Sequence, residues 1–348
     1  MKVRIIKKKK IKDLLKEVLP KWNLYVPQRN SGTDVWMEPL PKKEEPLEAA
    51  LEKIVLDLVD TVISPKEVFF PQLESMFEFK DGNIQETSES SPKLIFGVSP
   101  CDLKGILLSD SFYRRTPKDK YYLSRIKNRL IVVKGCLKPP RPTCFCTSVK
   151  TGPFAETGFD LQLIDAEDSY FVEVGSKRGQ EFTTTYKRYF SEPTGNYLIT
   201  IKKIKTKACN SLALKVDFQK ALNLMAQDRF IPEEIYRKIG ERCIYCGGCL
   251  YVCPTCTCFN VVDNVKGTKG ERLRNWDACI FEGYSREASG HNPRQDRWLR
   301  TARRYEHKLK FTSKVTGESG CVGCGRCLSS CPVGIGMSKF IQEITGEK

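Results

Sequence analysis

The chemistry of this chain concentrates in two short cysteine runs. Cys243-Ile244-Tyr245-Cys246-Gly247-Gly248-Cys249 continues to Cys253-Pro254, and Cys321-Val322-Gly323-Cys324-Gly325-Arg326-Cys327 continues to Cys331-Pro332. Each reads C-x2-C-x2-C-x3-C-P, the spacing that holds cubane iron–sulfur clusters in two-cluster ferredoxins, where the fourth cysteine of a run serves the other cluster. That crossed rule predicts one [4Fe-4S] cluster on Cys243, Cys246, Cys249 and Cys331, and another on Cys321, Cys324, Cys327 and Cys253. Three thiolates two residues apart wrap a tight loop around one cube, and Gly247, Gly248, Gly323 and Gly325 let backbone N–H groups face its sulfides. Zinc is the competing ligand, but it needs neither the third closely spaced cysteine nor the proline.

A second group of cysteines lies upstream, where the elements that would position them are legible. Lys93–Val98 and Arg129–Val133 read as buried strands and Leu103–Tyr113 as the helix between them. Such a crossover makes the strands parallel and puts their carboxyl ends on one edge of the sheet. Cys101-Asp102 follows the first strand, Cys136 the second, and Cys144-Phe145-Cys146 comes after a short Pro-rich loop. Four cysteines thus converge where open α/β sheets place ligands, which predicts a third [4Fe-4S] cluster on Cys101, Cys136, Cys144 and Cys146. The alternative is four small buried apolar side chains.

Cys256, Cys258 and Cys279 have no place in these sets. They read as buried thiols beside the clusters, since a further metal site needs a fourth ligand and the nearest histidine, His291, is a weak candidate. Cys209 has no companion and is expected to be inert.

The rest of the chain sets the frame. At 348 residues it is long enough for two domains, and the 16 cysteines cluster as metal ligands do, with no secretory segment before them. This fits a reducing cytoplasm better than a disulfide framework. No apolar run reaches the ~20 residues of a membrane span. The net charge of +16 raises nucleic-acid binding, but cubanes held by four thiolates offset part of it and no interleaved aromatic–basic surface is evident.

The Lys7–Lys10 run precedes an apolar stripe, Ile11, Leu14, Leu15, Val18 and Leu19, which reads as a surface helix with one face in the core, or as a membrane-surface helix. Leu47, Leu51, Ile54, Val55, Leu58 and Val59 predict a second helix. Phe159–Ile164 and Tyr170–Val174 predict a hairpin, Leu212–Asp228 a helix, and Pro232 opens another that leads to Cys243. The segment between the cysteine runs reads as mostly helical, best over Gln295–Lys310. There Arg297, Arg300, Arg303 and Arg304 would dock an acidic partner, compensate cluster charge or merely face solvent. The expected fold class is α+β multidomain: an N-terminal α/β domain over residues 1–225 with the third-cluster site, then a mostly helical two-cluster ferredoxin-like domain over 226–348. The boundary falls softly near 205–230.

Several segments together resemble a known family. Phe96-Gly97-Val98-Ser99-Pro100-Cys101-Asp102, Cys144-Phe145-Cys146, Cys253-Pro254-Thr255-Cys256-Thr257-Cys258, Gly290-His291-Asn292 and the second ferredoxin run are similar to the dicluster electron-transfer subunit of anaerobic sulfite reductase and the beta subunit of soluble sulfhydrogenases. The resemblance runs from about residue 90 to the end. It implies an electron-transfer subunit between a flavin (FAD) subunit that exchanges electrons with NAD(P)H and a catalytic subunit carrying [NiFe] or sirohaem, a hydrogenase or a sulfite reductase. It also implies that Cys256, Cys258 and Cys279 are family features.

A relay needs no acid, base or nucleophile, and no catalytic residue is assigned. The sequence has no G-x-G-x-x-G loop, no Walker-A loop and no HExxH motif. The leading expectation is a cytoplasmic electron-relay subunit. The alternative is that the chain itself reduces a sulfur compound with Cys256, Cys258 or Cys279.

Overall fold

The computed structural model describes residues 2–42, 45–57, 60–226 and 231–347. β1 (Lys2–Lys7) passes through one 3-10 turn into α1 (Ile11–Val18), whose stripe Ile11, Leu14, Leu15 and Val18 is buried. The lysine run is therefore the surface turn of a core-packed helix. The strand before it is hard to read from sequence, because only Val3 and Ile6 within it are buried.

β2 (Asn23–Ser31) and β3 (Asp34–Leu40) form a hairpin, followed by α2 (Leu47–Glu52). The second expected helix is shorter than its apolar spacing implies. Past Glu52 the backbone pairs with β2 instead, Arg29 N–H donating to Lys53 O and Val55 N–H to Pro27 O, both at 2.9 Å. Leu58 and Val59 of that expectation lie outside the described residues.

β4 (Leu73–Lys80) and β5 (Asn83–Glu86) lead to the expected strand–helix–strand unit: β6 (Lys93–Val98), α3 (Pro100–Tyr113), α4 (Lys120–Ile126) and β7 (Arg129–Lys134), with β6 and β7 parallel. β8 (Leu161–Ala166) and β9 (Ser169–Val174) are the expected hairpin. Then come α5 (Lys177–Thr185), β10 (Phe190–Ser191), α6 (Tyr197–Asn210) and α7 (Phe218–Ala226). α6 was not expected, since it buries only Ile201 and Ala208 and so carries no apolar stripe. The helix predicted over Leu212–Asp228 begins only at Phe218, and its last two residues lie outside the described ones.

The main sheet runs β10-β1-β9-β8-β7-β6-β2-β3, parallel from β8 to β2 and antiparallel elsewhere. Leu94, Phe96, Leu130 and Val132 face the core that holds α1, while Ile95, Val98, Ile131 and Val133 face the one that holds Leu103 and Ile106 of α3. Burial on both faces is why β6 and β7 read as unbroken apolar runs.

The second part comprises α8 (Glu233–Arg242), α9 (Gly248–Tyr251), β11 (Phe259–Lys266), β12 (Lys269–Trp276), α10 (Arg297–Glu306), a π turn over His307–Phe311, α11 (Thr312–Thr316), α12 (Arg326–Ser329) and α13 (Met337–Thr345). The β11–β12 hairpin corrects the expectation of a mostly helical insertion. Every residue of β11 is exposed, so it lacks the apolar–polar alternation that marks a half-buried strand. The hairpin joins β4 and β5 in a four-stranded antiparallel sheet ordered β11-β12-β4-β5, tying the two parts together. Buried Arg274 of β12 reinforces the join, its Nε donating to Glu74 Oε1 at 2.6 Å. The fold class is α+β. Among the described residues no helix is long and apolar enough to cross a membrane.

Candidate metal centres

Two hollows of about 20 and 30 Å³ lie within the second part. Cys243, Cys246, Cys249 and Cys331 line the first, with Ile280, Arg304 and Tyr305. Cys253, Cys321, Cys324 and Cys327 line the second, with Lys308, Arg304 and Met337, and Cys249 forms part of its wall too. These are the two sets given by the crossed rule. Each run turns on a left-handed glycine, Gly247 at φ 76° before α9 and Gly325 at φ 72° before α12. Backbone N–H groups point at cysteine sulfur: Tyr245 to Cys243, Ile335 to Cys331 and Met337 to Cys327, each at 3.4 Å.

The loop after Cys321 rests directly on the first part of the chain. Phe145 N–H donates to Gly323 O at 2.9 Å, and a Cβ on Gly323, at φ +69°, would lie 2.7 Å from Cys146 Cα. Gly323→Ala is therefore expected to cost ~2–4 kcal/mol, from left-handed strain and overpacking together. Gly334→Ala, at φ +66° in open space, is expected to cost only ~1–2 kcal/mol. Thermal melts of the two variants under anaerobic conditions check the difference.

A third hollow, also about 30 Å³, lies at the carboxyl edge of β6 and β7. Cys101, Cys136, Cys144 and Cys146 line it together with Cys324 and Arg326. Cys101 is the second residue of α3, whose Ser99 cap accepts from Asp102 N–H at 3.1 Å. Cys136 is held just past β7 by its N–H to Pro153 O at 2.9 Å. Burial pushes all four thiols up, Cys146 to about 12. The hollow matches the other two in size and cysteine number.

Between the second and third hollows sits a buried ion pair that sequence reasoning gave no role. Arg326, 1% exposed, grips Asp102 with two bonds of 2.6 and 2.7 Å and donates through Nε to Thr61 O at 3.0 Å. Asp60 pairs with Arg141 at 2.5 Å beside it, and burial pushes the Asp60 carboxyl up. The only sequence signal was position: Arg326 precedes Cys327 and Asp102 follows Cys101.

The arginine stripe of α10 does not simply face solvent. Arg304 is buried and lines both hollows of the second part, beside Cys249 and Cys327. Arg300 is buried on three carbonyls, those of Ile280, Arg294 and Gln295. Arg297 and Arg303 lie over the rings of Tyr245 and Phe311, at 4.2 and 4.0 Å from the centroids. Buried Lys66 and Lys308 add two unforeseen cations, with Lys66 Nζ donating to Cys256 O at 2.9 Å.

Of the unassigned cysteines, Cys258 and Cys279 are buried together with Leu250, Ala278 and Ile280, and Cys256 packs against them. Cys209 and His291 are exposed and stand outside all three hollows. Among the described residues no three His, Cys, Asp or Glu side chains converge as they would on a single ion. The cysteine sets instead line hollows, four candidate ligands to each.

Comparison with known proteins agrees with this geometry. Residues 242–335 match the 4Fe-4S dicluster domain, a domain of two [4Fe-4S] clusters. The chain is 33% identical to the sulfhydrogenase 2 subunit beta of Pyrococcus furiosus over 296 residues, 85% of this chain and 86% of that one. No solved structure matches the chain. With that identity over nearly the full length of both proteins, the chain belongs to the sulfhydrogenase beta-subunit family.

Proposed function

We propose that the chain is an iron–sulfur electron-transfer subunit of a multi-subunit oxidoreductase, with three [4Fe-4S] stations in a row. The observation that carries this reading is shared walls. Cys249 lines both hollows of the second part, and Cys324 lines both the second hollow and the one at the sheet edge. Centres whose ligands are shared walls are close enough to pass electrons in sequence. Cys243, Cys246, Cys249 and Cys331 hold the outermost station, where Cys246 is exposed. Cys321, Cys324, Cys327 and Cys253 hold the middle one, and Cys101, Cys136, Cys144 and Cys146 the third.

The bound clusters supply one-electron redox chemistry. The chain's own residues set their surroundings: Arg304 and Lys308 place positive charge against the middle and outer stations, and N–H groups aimed at sulfur favour the reduced state. The two domains are residues 1–225 and 226–348, with the β11–β12 hairpin reaching back onto the first. The family resemblance supports a cytoplasmic assembly with a flavin (FAD) and NAD(P)-binding subunit on one side. On the other stands a [NiFe] hydrogenase or a sulfite- or sulfur-reducing catalytic subunit.

Anaerobic purification tests the reading. The protein is expected to be brown, to carry about twelve irons, and to bleach with a strong reductant. Colourless protein with stoichiometric zinc would overturn it, and about eight irons would remove the third station alone.

A further inference from the structure

The segment Cys253-Pro254-Thr255-Cys256 is held from three sides. Pro254 packs so closely on α3 that a Cβ on Gly105 would lie 2.6 Å from Pro254 Cβ. Buried Lys66 donates to Cys256 O at 2.9 Å. Lys308, 5% exposed and part of the wall of the middle hollow, donates through Nζ to Thr255 Oγ1. It comes from the π turn over His307–Phe311, a break in regular helix of the kind frequent at functional sites. The backbone there is fastened as well, because Lys308 O accepts from Gly320 N–H at 2.9 Å.

Thr255 thereby joins the two halves of the middle set. Its hydroxyl donates to Gly320 O at 2.6 Å, just before Cys321, and lies 3.3 Å from Cys253 Sγ. A hydroxyl has one proton and two lone pairs, whereas an ammonium can only donate. Lys308 therefore occupies a lone pair of Thr255 Oγ1, and the single Thr255 proton has two rival acceptors, the Gly320 carbonyl and the Cys253 sulfur. The carbonyl, at the shorter distance, holds it here. A sulfur that gains negative charge becomes the stronger acceptor, since hydrogen bonds to charged groups are about twice as strong as neutral ones.

We propose that Thr255 and Lys308 are positioning residues of the middle station, and that the Thr255 hydroxyl turns its proton from Gly320 O to Cys253 Sγ when the centre there gains an electron. The step is a rotation about the Cβ–Oγ bond. One O–H···O hydrogen bond breaks and one O–H···S hydrogen bond forms, no covalent bond changes, and the proton stays on Thr255. The electron is the one that the relay itself carries. Because the bond to sulfur exists only in the reduced state, it raises the reduction potential of the middle station. The inference rests on the reading that Cys253, Cys321, Cys324 and Cys327 hold a cluster.

The test uses the full chain, purified anaerobically with its iron and titrated with a reductant while electron paramagnetic resonance follows each station. Thr255→Val is expected to lower one of the three potentials by about 59 mV with iron unchanged. That is the tenfold change in a one-electron equilibrium constant that a hydrogen bond to a charged acceptor supplies. Thr255→Ser, which keeps the hydroxyl, is expected to restore the wild-type value. Thr255→Val alone leaves the Lys308 ammonium without its acceptor, so the double variant Thr255→Val/Lys308→Met, which removes both, is titrated beside it and is expected to show at least the same fall. Full iron with three unchanged potentials in either variant would overturn the inference alone, as would a fall that Thr255→Ser does not restore. Wild-type protein without iron as purified would instead overturn the cluster reading on which it rests.

Discussion

Replacing Cys136 by serine is expected to lower the iron content by about four, from about twelve to about eight, and to reduce the visible absorbance by roughly a third. Serine keeps the shape of the side chain but is a poor ligand for iron, so the loss reports on metal and hardly on packing. Cys136 is suited to the test because it is set by β7 and the Pro153 carbonyl and belongs to neither ferredoxin run. Its nearest cysteine charges are Cys146 and Cys144 of the same set. The electron paramagnetic resonance signals of the two C-terminal clusters are expected to survive. Cys209→Ser, at an exposed site, is the control and should lose no iron. Unchanged iron in Cys136→Ser would reduce the sheet-edge cysteines to packing residues.

What the sequence disclosed and what it hid divide along physical lines. The grouping of the C-terminal cysteines was legible because cubane ligation imposes local spacing, and the two hollows of the second part are lined by the sets that the crossed rule names. Strands buried on both faces, β6 and β7, were legible as unbroken apolar runs. β11 was not, since all eight of its residues are exposed and its pairing with β12 and β4 is long-range. The buried cations were hidden for a related reason. Lys66, Arg304, Lys308 and Arg326 have the composition of a surface, and only the fold reveals that they are buried. In Arg326, the residue type reads as solvent-facing, and only the fold shows it buried against Asp102.

Arg326 therefore carries the other large expected effect. It is fully charged at any relevant pH and shares its burial with Asp102, so removing either partner leaves an uncompensated charge in the interior. Arg326→Gln and Asp102→Asn are each expected to cost about 3–5 kcal/mol of stability, read from anaerobic denaturation midpoints. Stability alone would not separate a structural brace from an electrostatic one, but the reduction potentials do. Loss of the guanidinium removes a positive charge between the middle and third stations and makes an added electron less favourable, so both potentials are expected to fall in Arg326→Gln. Loss of the carboxylate leaves that positive charge unopposed, so both are expected to rise in Asp102→Asn. Arg326→Lys, which keeps charge but not the two-pronged grip, is expected to restore the potentials more fully than the stability. Redox titrations followed by electron paramagnetic resonance read the signs directly. Shifts of the same sign in the Gln and Asn variants would mark the pair as a brace alone, whereas opposite signs mean that one buried ion pair both joins the two parts of the chain and sets the electrostatic step between neighbouring centres.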